Sequence, residues 1–244
     1  MPAQLLIYEN ITALSKDKHA NWSAEVGQDF SHARKLNALP MWVAEFLPVA
    51  REYPIVFNRT NDSVQPLILL GMRDKENLFL DDTNQWSGEY IPAFLRRYPF
   101  VFGRSQDGKT LTLCIDENYA GFNQEGKGER LFTDDGEITP YVKNVLQFLQ
   151  NFEPEHTRTQ AFCRKLDELD LFESHNAVWT SPSGEKTSLT GFLCINRKKL
   201  QELPPKVLSG MIGSGEMDLI YAHLFSLTNF KGIQKKLASV VSEN

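Results

Sequence analysis

Four aspartates in two adjacent pairs, Asp81-Asp82 and Asp134-Asp135, have the residue types and spacing nearest to a chemical site. If the segments carrying them met about a local two-fold axis, their carboxylates would offer the hard oxygen ligands that hold Mg²⁺ or Ca²⁺. The same residues have a plainer use. Asp-Asp followed by Thr83 or Gly136 is turn chemistry, in which a short side chain hydrogen-bonds its own backbone. The spacing favours that use. Arg96-Arg97, with Arg51 at the matching place in an earlier segment, offer a small anion site. Arginines at a helix C-terminus, where they meet the negative end of the dipole, explain them more simply. Trp86 and Trp179 offer rings that stack on a ligand or peptide, or that plug a core with the N–H partnered. Arg96, Arg97 and Trp86 are therefore the candidate ligand contacts, and Asp81, Asp82, Asp134 and Asp135 the candidate metal ligands. The pattern identifies no catalytic group and no cofactor.

The remaining reactive types are scattered. The five histidines (19, 32, 156, 175 and 223) include no H-x-x-x-H, H-E-x-x-H or H-x-D spacing, so a two-histidine, one-carboxylate iron site would need distant positions. His223, two turns after Glu216 on one helix, reads as a satisfied core or interface histidine. Cys114, Cys163 and Cys194 are far apart and odd in number, as reduced, buried thiols of a cytosolic protein would be. Ser181-Pro182-Ser183-Gly184 is no nucleophile elbow. Gly210–Gly215 lies between helices, where its glycines stop a helix rather than cradle a dinucleotide.

These residues sit on elements that repeat. YPIVFNRTNDS (53–63) is echoed by YPFVFGRSQDG (98–108). Leu78–Asp82 is echoed by Leu131–Asp135, and Gly88–Pro92 by Gly136–Pro140. Three ordered matches predict a duplicated helix–hairpin unit, with copies at about 45–92 and 90–140. Proline pushes the preceding residue out of the helical region, so Tyr53 and Tyr98 end short helices at equivalent hinges. Strands follow at Ile55–Asn58 and Phe100–Gly103, returning at Gln65–Leu70 and Thr110–Ile115. A third hairpin over 177–196 repeats the aromatic strand, the Ser/Gly turn and the Cys-Ile strand. Gln4–Tyr8 is a further strand, and two helical pieces meet at Pro48 after a helix start at Pro40. A long helical segment covers about Pro140–Phe152 and then Thr157–Phe172. The part from 197 to 241 is helical, and Glu216–Thr228 is apolar nearly all round, as core or interface helices are. The expectation is one α+β domain over 1–244: duplicated helix–β-hairpin units in a mainly antiparallel sheet, closed by C-terminal helices.

Composition narrows the classes. The 244 residues are 41% hydrophobic and 23% charged, ordinary for a globular chain with its own core. A net charge of −5 argues against a broad grip on nucleic acid. The longest apolar run, Leu219–Leu227, falls short of the ~20 residues that span a bilayer. The N-terminal segment lacks the basic lead and apolar stretch of a signal peptide. A cytoplasmic location is expected.

The blocks L-P-x-W-V-A-E-F…Y-P-I-V-F (39–57), N-L-F-L-D (77–81), Y-I-P-A-F-L-R-R-Y-P-F (90–100), G-F-L-C-I-N (191–196) and I-Y-A-H-L-F-S-L (220–227) resemble the SapC family of bacterial proteins. The resemblance spans nearly the whole chain. It implies an association with surface-layer loci, and with outer-membrane uptake clusters that also encode flavin halogenase-like and cupin-like proteins. It supplies no catalytic residues. The reading that follows is a non-catalytic accessory protein that binds a protein or peptide partner and self-associates, if at all, through its C-terminal helices. The alternatives are a metal- or cofactor-assisted enzyme (an oxidase or a halogenation accessory) and a structural surface-layer component.

Overall fold

Short strands and helices alternate along the chain in this computed structural model, which describes residues 6–27, 29–60, 63–105, 110–180, 184 and 186–242. β1 (Ile11–Ala13), α1 (Lys16–His19) and β2 (Ser23–Ala24) come first. β3 (Ala38–Pro40), α2 (Phe46–Ala50) and the hairpin β4 (Ile55–Thr60) and β5 (Ser63–Leu69) follow. Next are α3 (Ala93–Arg96), the hairpin β6 (Phe100–Arg104) and β7 (Leu111–Asp116), and the short β8 (Phe122–Asn123) and β9 (Glu129–Arg130). α4 (Pro140–Glu168) leads to β10 (Phe172–Thr180) and β11 (Lys186–Ile195). The chain closes with α5 (Arg197–Gln201), α6 (Pro205–Gly213), α7 (Glu216–Ser226) and α8 (Phe230–Ser242). The strand pairs described are antiparallel. The fold is α+β with antiparallel sheets and C-terminal helices, as expected. β10 and β11 supply the hairpin anticipated at 177–196.

Spatial clustering divides the chain into two compact units. The first unit comprises the chain up to Ala33, Asp82–Gln85 and Ala93–Pro154; the second comprises Arg34–Asp81, Trp86–Pro92 and the chain from Glu155.

The first unit holds two three-stranded sheets, ordered β1-β7-β6 and β8-β2-β9. Alternation puts Phe100 of β6 and Ile115 of β7 inward, where they join Ala24, Leu131 and Phe132. Val142 and Leu149 of α4, two turns apart on one face, cover that cluster.

The second unit holds one sheet, ordered β10-β11-β4-β5-β3. Ile55, Val56 and Phe57 are all fully buried, so both faces of β4 are covered. Phe57 packs on Phe172 (ring centroids 4.9 Å apart), Phe46 (6.3 Å) and His223 (5.0 Å). β4 meets β11 through the single pair Leu193–Phe57. Where Ile55 and Ile195 would pair next, the His223 imidazole from α7 stands between them. Ile195 N donates to Nε2 at 3.0 Å, and Nδ1 lies 2.9 Å from Ile55 O. A backbone N–H can only donate, so Nε2 is the acceptor and the ring is the neutral Nδ1–H tautomer. Burial holds its pKa down, to about 4. Ser226 completes the splice, accepting from Ile55 N at 2.9 Å and donating to His223 O at 2.6 Å. His223 is thus the satisfied core histidine the sequence suggested.

Ladder register recurs between the units. Leu39, Ile68 and Ile55 form one row of three strands, and Thr12, Ile115 and Phe100 form another. Leu69 N donates to Pro54 O and Leu70 N to Asn37 O, as Asp116 N does to Pro99 O and Glu117 N to Asn10 O. Two isolated bridges, Leu80–Trp86 and Phe132–Ile138, each close a turn with positive φ, at Asn84 (61°) and Gly136 (79°). These bridges set Asp82 against Asp134, but Asp81 against Thr133, one residue off the sequence match. They set Gly136 against Asn84 rather than Gly88. The two tyrosines also differ: Tyr53 is fully buried, Tyr98 half-buried, and only the Tyr98–Pro99 bond is cis among the described residues.

Some local expectations give way. Pro40 ends a strand, and the helical piece starts as a 3₁₀ turn at Val43–Glu45 that runs into α2. Pro48 sits in the first turn of α2, where its missing N–H has no partner to lose, and splits nothing. Residues 6–8 form a turn, not a strand, and Gln4 and Leu5 lie outside the described residues.

Candidate functional site

The first unit contains a cavity of about 360 Å³ whose wall is built from four separate segments. Leu6–Glu9 precede β1, Asp29 to His32 form a tight turn, Tyr98 ends the α3 segment, and Asn118–Ala120 follow β7. Asp116, the last residue of β7 and fully buried, ties three of them together. Its carboxyl oxygens accept from Glu9 N (2.8 Å), Asn10 N (3.0 Å), Asn118 N (3.1 Å) and the Tyr98 hydroxyl (3.3 Å). A buried carboxyl group needs several donors, and this one obtains them by pinning backbone. Asp29 shapes the fourth segment, accepting from Ser31 N at 2.7 Å and Ser31 Oγ at 3.1 Å.

Aromatic rings dominate the wall. Tyr98 meets Tyr8 edge-on at 5.3 Å and Tyr119 edge-on at 5.4 Å, and His32 stacks on Tyr98 at 4.1 Å. The hydroxyls of Tyr8 and Tyr119 donate to Phe100 O (2.6 Å) and Glu25 O (2.5 Å), which fixes both rings. Burial raises the phenol pKa values of all three, to about 12 for Tyr119; Asp116 adds to the rise at Tyr98, and Asp29 and Glu25 to that at Tyr119. The phenols are therefore neutral at physiological pH. Burial also holds the His32 pKa down, to about 4, against the opposing pull of Asp29 and Asp116. His32 Nε2 is buried, yet it makes no hydrogen bond within the protein. Such a buried nitrogen costs about 1–3 kcal/mol unless something outside the fold pairs with it.

A second recess of about 610 Å³ lies in the same unit. The two share Asp29, Tyr119 and Ala120, and the second adds Glu25, Gly128 and Glu129. Gly128 has φ +75°, and a Cβ there would run into Ala24 O, so this position of the lining requires glycine.

The residues singled out from sequence lie elsewhere. Arg97 is buried against the rings of Tyr8 (5.7 Å) and Phe94 (4.5 Å), outside the cavity lining, while Arg96 is exposed over Phe148 (5.3 Å). Trp86 belongs to the second unit, where its Nε1 donates to Tyr53 Oη (3.0 Å) and Tyr90 O (3.2 Å). Asp81, Asp82, Asp134 and Asp135 are exposed, and Asp134 pairs with Arg130 at 2.7 Å. Among the described residues no three His, Cys, Asp or Glu side chains group as a metal ion requires. Sequence reasoning missed Tyr8, His32, Tyr119 and Asp116 because they are scattered between positions 8 and 119. The available signal was Asp116 and Tyr119 flanking the end of a predicted strand, where loops gather sites.

No curated protein and no solved structure matches the chain. The family model described as SapC matches residues 14–233, which takes in the hairpins of both units and most of the cavity wall. The chain belongs to the SapC family.

Proposed function

We propose that this protein is an accessory binding protein whose ligand, a small molecule or one side chain of a peptide partner, sits in the tyrosine-lined cavity of the first unit. The observation that carries this reading is the buried, unpaired Nε2 of His32 on the cavity wall. A preformed recess with rigid aromatic walls and an unpaired polar group among its lining residues is the ordinary form of a ligand site. The thiols do not suit nucleophilic work. All three cysteines are buried, and burial raises their pKa values, to about 12 for Cys163 and Cys194. The family's association with surface-layer and uptake loci gives the pathway in which such a partner is sought.

A thermal-shift screen of metabolites and short peptides tests the reading, with wild type run beside Tyr98→Ala and His32→Ala. A ligand at a hundredfold its Kd adds about 2.7 kcal/mol, a shift of a few degrees. Hits confined to wild type support the cavity. A screen without hits, or hits shared equally by both variants, refutes it.

The reading extends to self-association through α7, supported by the exposed Tyr221 (50%) and Phe225 (61%), four residues apart on one helix face. Light scattering that gives a monomer mass at every concentration removes this part.

A further inference from the structure

We propose that the free edge of β6 takes an extended segment of a partner protein as an added antiparallel strand, with a large apolar residue opposite Phe102. Nothing in this depends on a cavity ligand. Asp116 N donates to Pro99 O, and Ser105 N donates to Thr110 O. The ladder between these bonds is unbroken, so Val101 and Gly103 also bond across to β7. Phe100, Phe102 and Arg104 then turn their N–H and C=O groups outward, and β6 is the outer strand of its sheet. The fold ties off the first of the three. Phe100 N donates to Arg97 O at 2.7 Å, and Phe100 O accepts from the Tyr8 hydroxyl at 2.6 Å. Phe102 N and O have no partner among the described residues. An unpaired edge of this kind is where an extended peptide adds a strand.

The second unit holds a matching edge with its strand in place. Leu69 N donates to Pro54 O, so Ile55, Phe57 and Arg59 are the outward residues of β4. Ser226 and His223 tie off Ile55 there, as Arg97 and Tyr8 tie off Phe100. Arg59 pairs with Asp167 of α4, and Arg104 with Glu153 of the same helix. Between the tied-off residue and the arginine, Phe57 meets Leu193 of β11. No strand lies on that side of Phe102 among the described residues. Burial follows suit. Phe57 is fully buried, whereas Phe102 is half-buried although it packs on the core cluster. Opposed residues of adjacent strands share a sheet face, so the residue opposite Phe102 lays its side chain beside that ring, as Leu193 does beside Phe57. The position calls for Leu, Ile, Val or Phe. β6 of a second copy does not supply it. About a two-fold axis, Phe102 meets Arg104 of the second copy, a charged side chain, or it meets its own counterpart, and that register sets Arg104 against the tied-off Phe100.

The test uses the full chain and a capped peptide of residues 190–196 carrying Cys194→Ser, the sequence that fills the matching edge. Amide hydrogen exchange is measured first on the protein alone, by NMR. Expected is exchange at Phe102 about a hundredfold faster than at Val101 and Gly103, whose N–H groups face β7. The peptide then slows exchange at Phe102 and shifts the amides of Phe102 and Arg104 saturably. Methylating the Leu193 nitrogen of the peptide removes the donor to Phe102 O and weakens binding about tenfold. The changes are made in the peptide, so no outcome depends on how an altered chain folds. A Phe102 amide as protected as its neighbours in the free protein would overturn the proposal, since the edge would already be covered. So would a peptide that leaves Phe102 unprotected at millimolar concentration, or a methylated peptide that binds as well as the plain one. Protection that rises with protein concentration alone would give the strand to a second copy and overturn the partner. All of these results are independent of the thermal-shift screen, which tests the cavity.

Discussion

Replacing His223 by phenylalanine removes the splice between β4 and β11 while nearly conserving shape. At pH 7 the change leaves Ile55 O and Ile195 N without the ring that joins them. Each unpaired buried backbone group costs about 1–3 kcal/mol, so His223→Phe destabilises the second unit by roughly 3–4 kcal/mol. The pH dependence is more specific. The folded pKa of His223 is depressed, to about 4, against about 6.5 in the unfolded chain. Between those values the unfolded state binds more protons, so the stabilisation is complete above about pH 6.5 and is lost as pH falls towards 4. The full loss is about 3 kcal/mol, and about 2 kcal/mol of it falls between pH 7 and pH 5. The phenylalanine variant has no such proton to bind. Its deficit relative to wild type therefore shrinks from about 3–4 to about 1–2 kcal/mol at pH 5. His32 titrates in the same direction, but it is present in both proteins and cancels in the difference. Urea unfolding at pH 7, 6 and 5, followed by tryptophan fluorescence, reads this, because Trp42, Trp86 and Trp179 all lie in the second unit with His223. A deficit that stays constant from pH 7 to pH 5, or a variant as stable as wild type at pH 7, refutes the reasoning.

Three further outcomes follow from the same structure. Asp116→Asn leaves one carbonyl oxygen to serve four donors and should cost about 2–4 kcal/mol in urea unfolding, with loss of any cavity ligand; an unchanged midpoint would contradict its role as the hub. Gly88→Ala drives a Cβ into Tyr53 Oη and the Trp86 ring nitrogen, so a loss of about 1–3 kcal/mol and a shifted tryptophan emission are expected. Cys163 and Cys194 should react with a thiol reagent at pH 8 only after unfolding, since both are buried and their thiols are held neutral; fast labelling of the native protein would show otherwise.

The sequence was most legible where local chemistry decides the backbone. Proline after Tyr53 and Tyr98, and alternating apolar residues beyond, marked the hairpins to within a residue or two. Gly215, at φ +74°, ended the α6 segment as a glycine cap does. Pro48 misled because a proline's cost depends on where it falls in a helix and on what packs around it. The aspartate pairs were read one residue out of step, since a five-residue likeness carries no register and a bridge such as Phe132–Ile138 does. The cavity was not legible at all. Tyr8, His32, Tyr98 and Tyr119 meet only after strand pairing brings Glu9 and Asn10 onto Asp116, and no local pattern encodes that contact.

The most direct measurement of the central claim is a long-range ¹H–¹⁵N spectrum of the histidine rings during titration with a hit from the thermal-shift screen. His32 lines the cavity and its Nε2 is buried and unpaired, while both ring nitrogens of His223 are already bonded in the other unit. The account predicts a saturable shift of His32 Nε2 with His223 unmoved, and its loss in Tyr98→Ala. A His32 signal that stays fixed, or one that drifts in parallel with His223, would contradict a ligand site in the tyrosine-lined cavity.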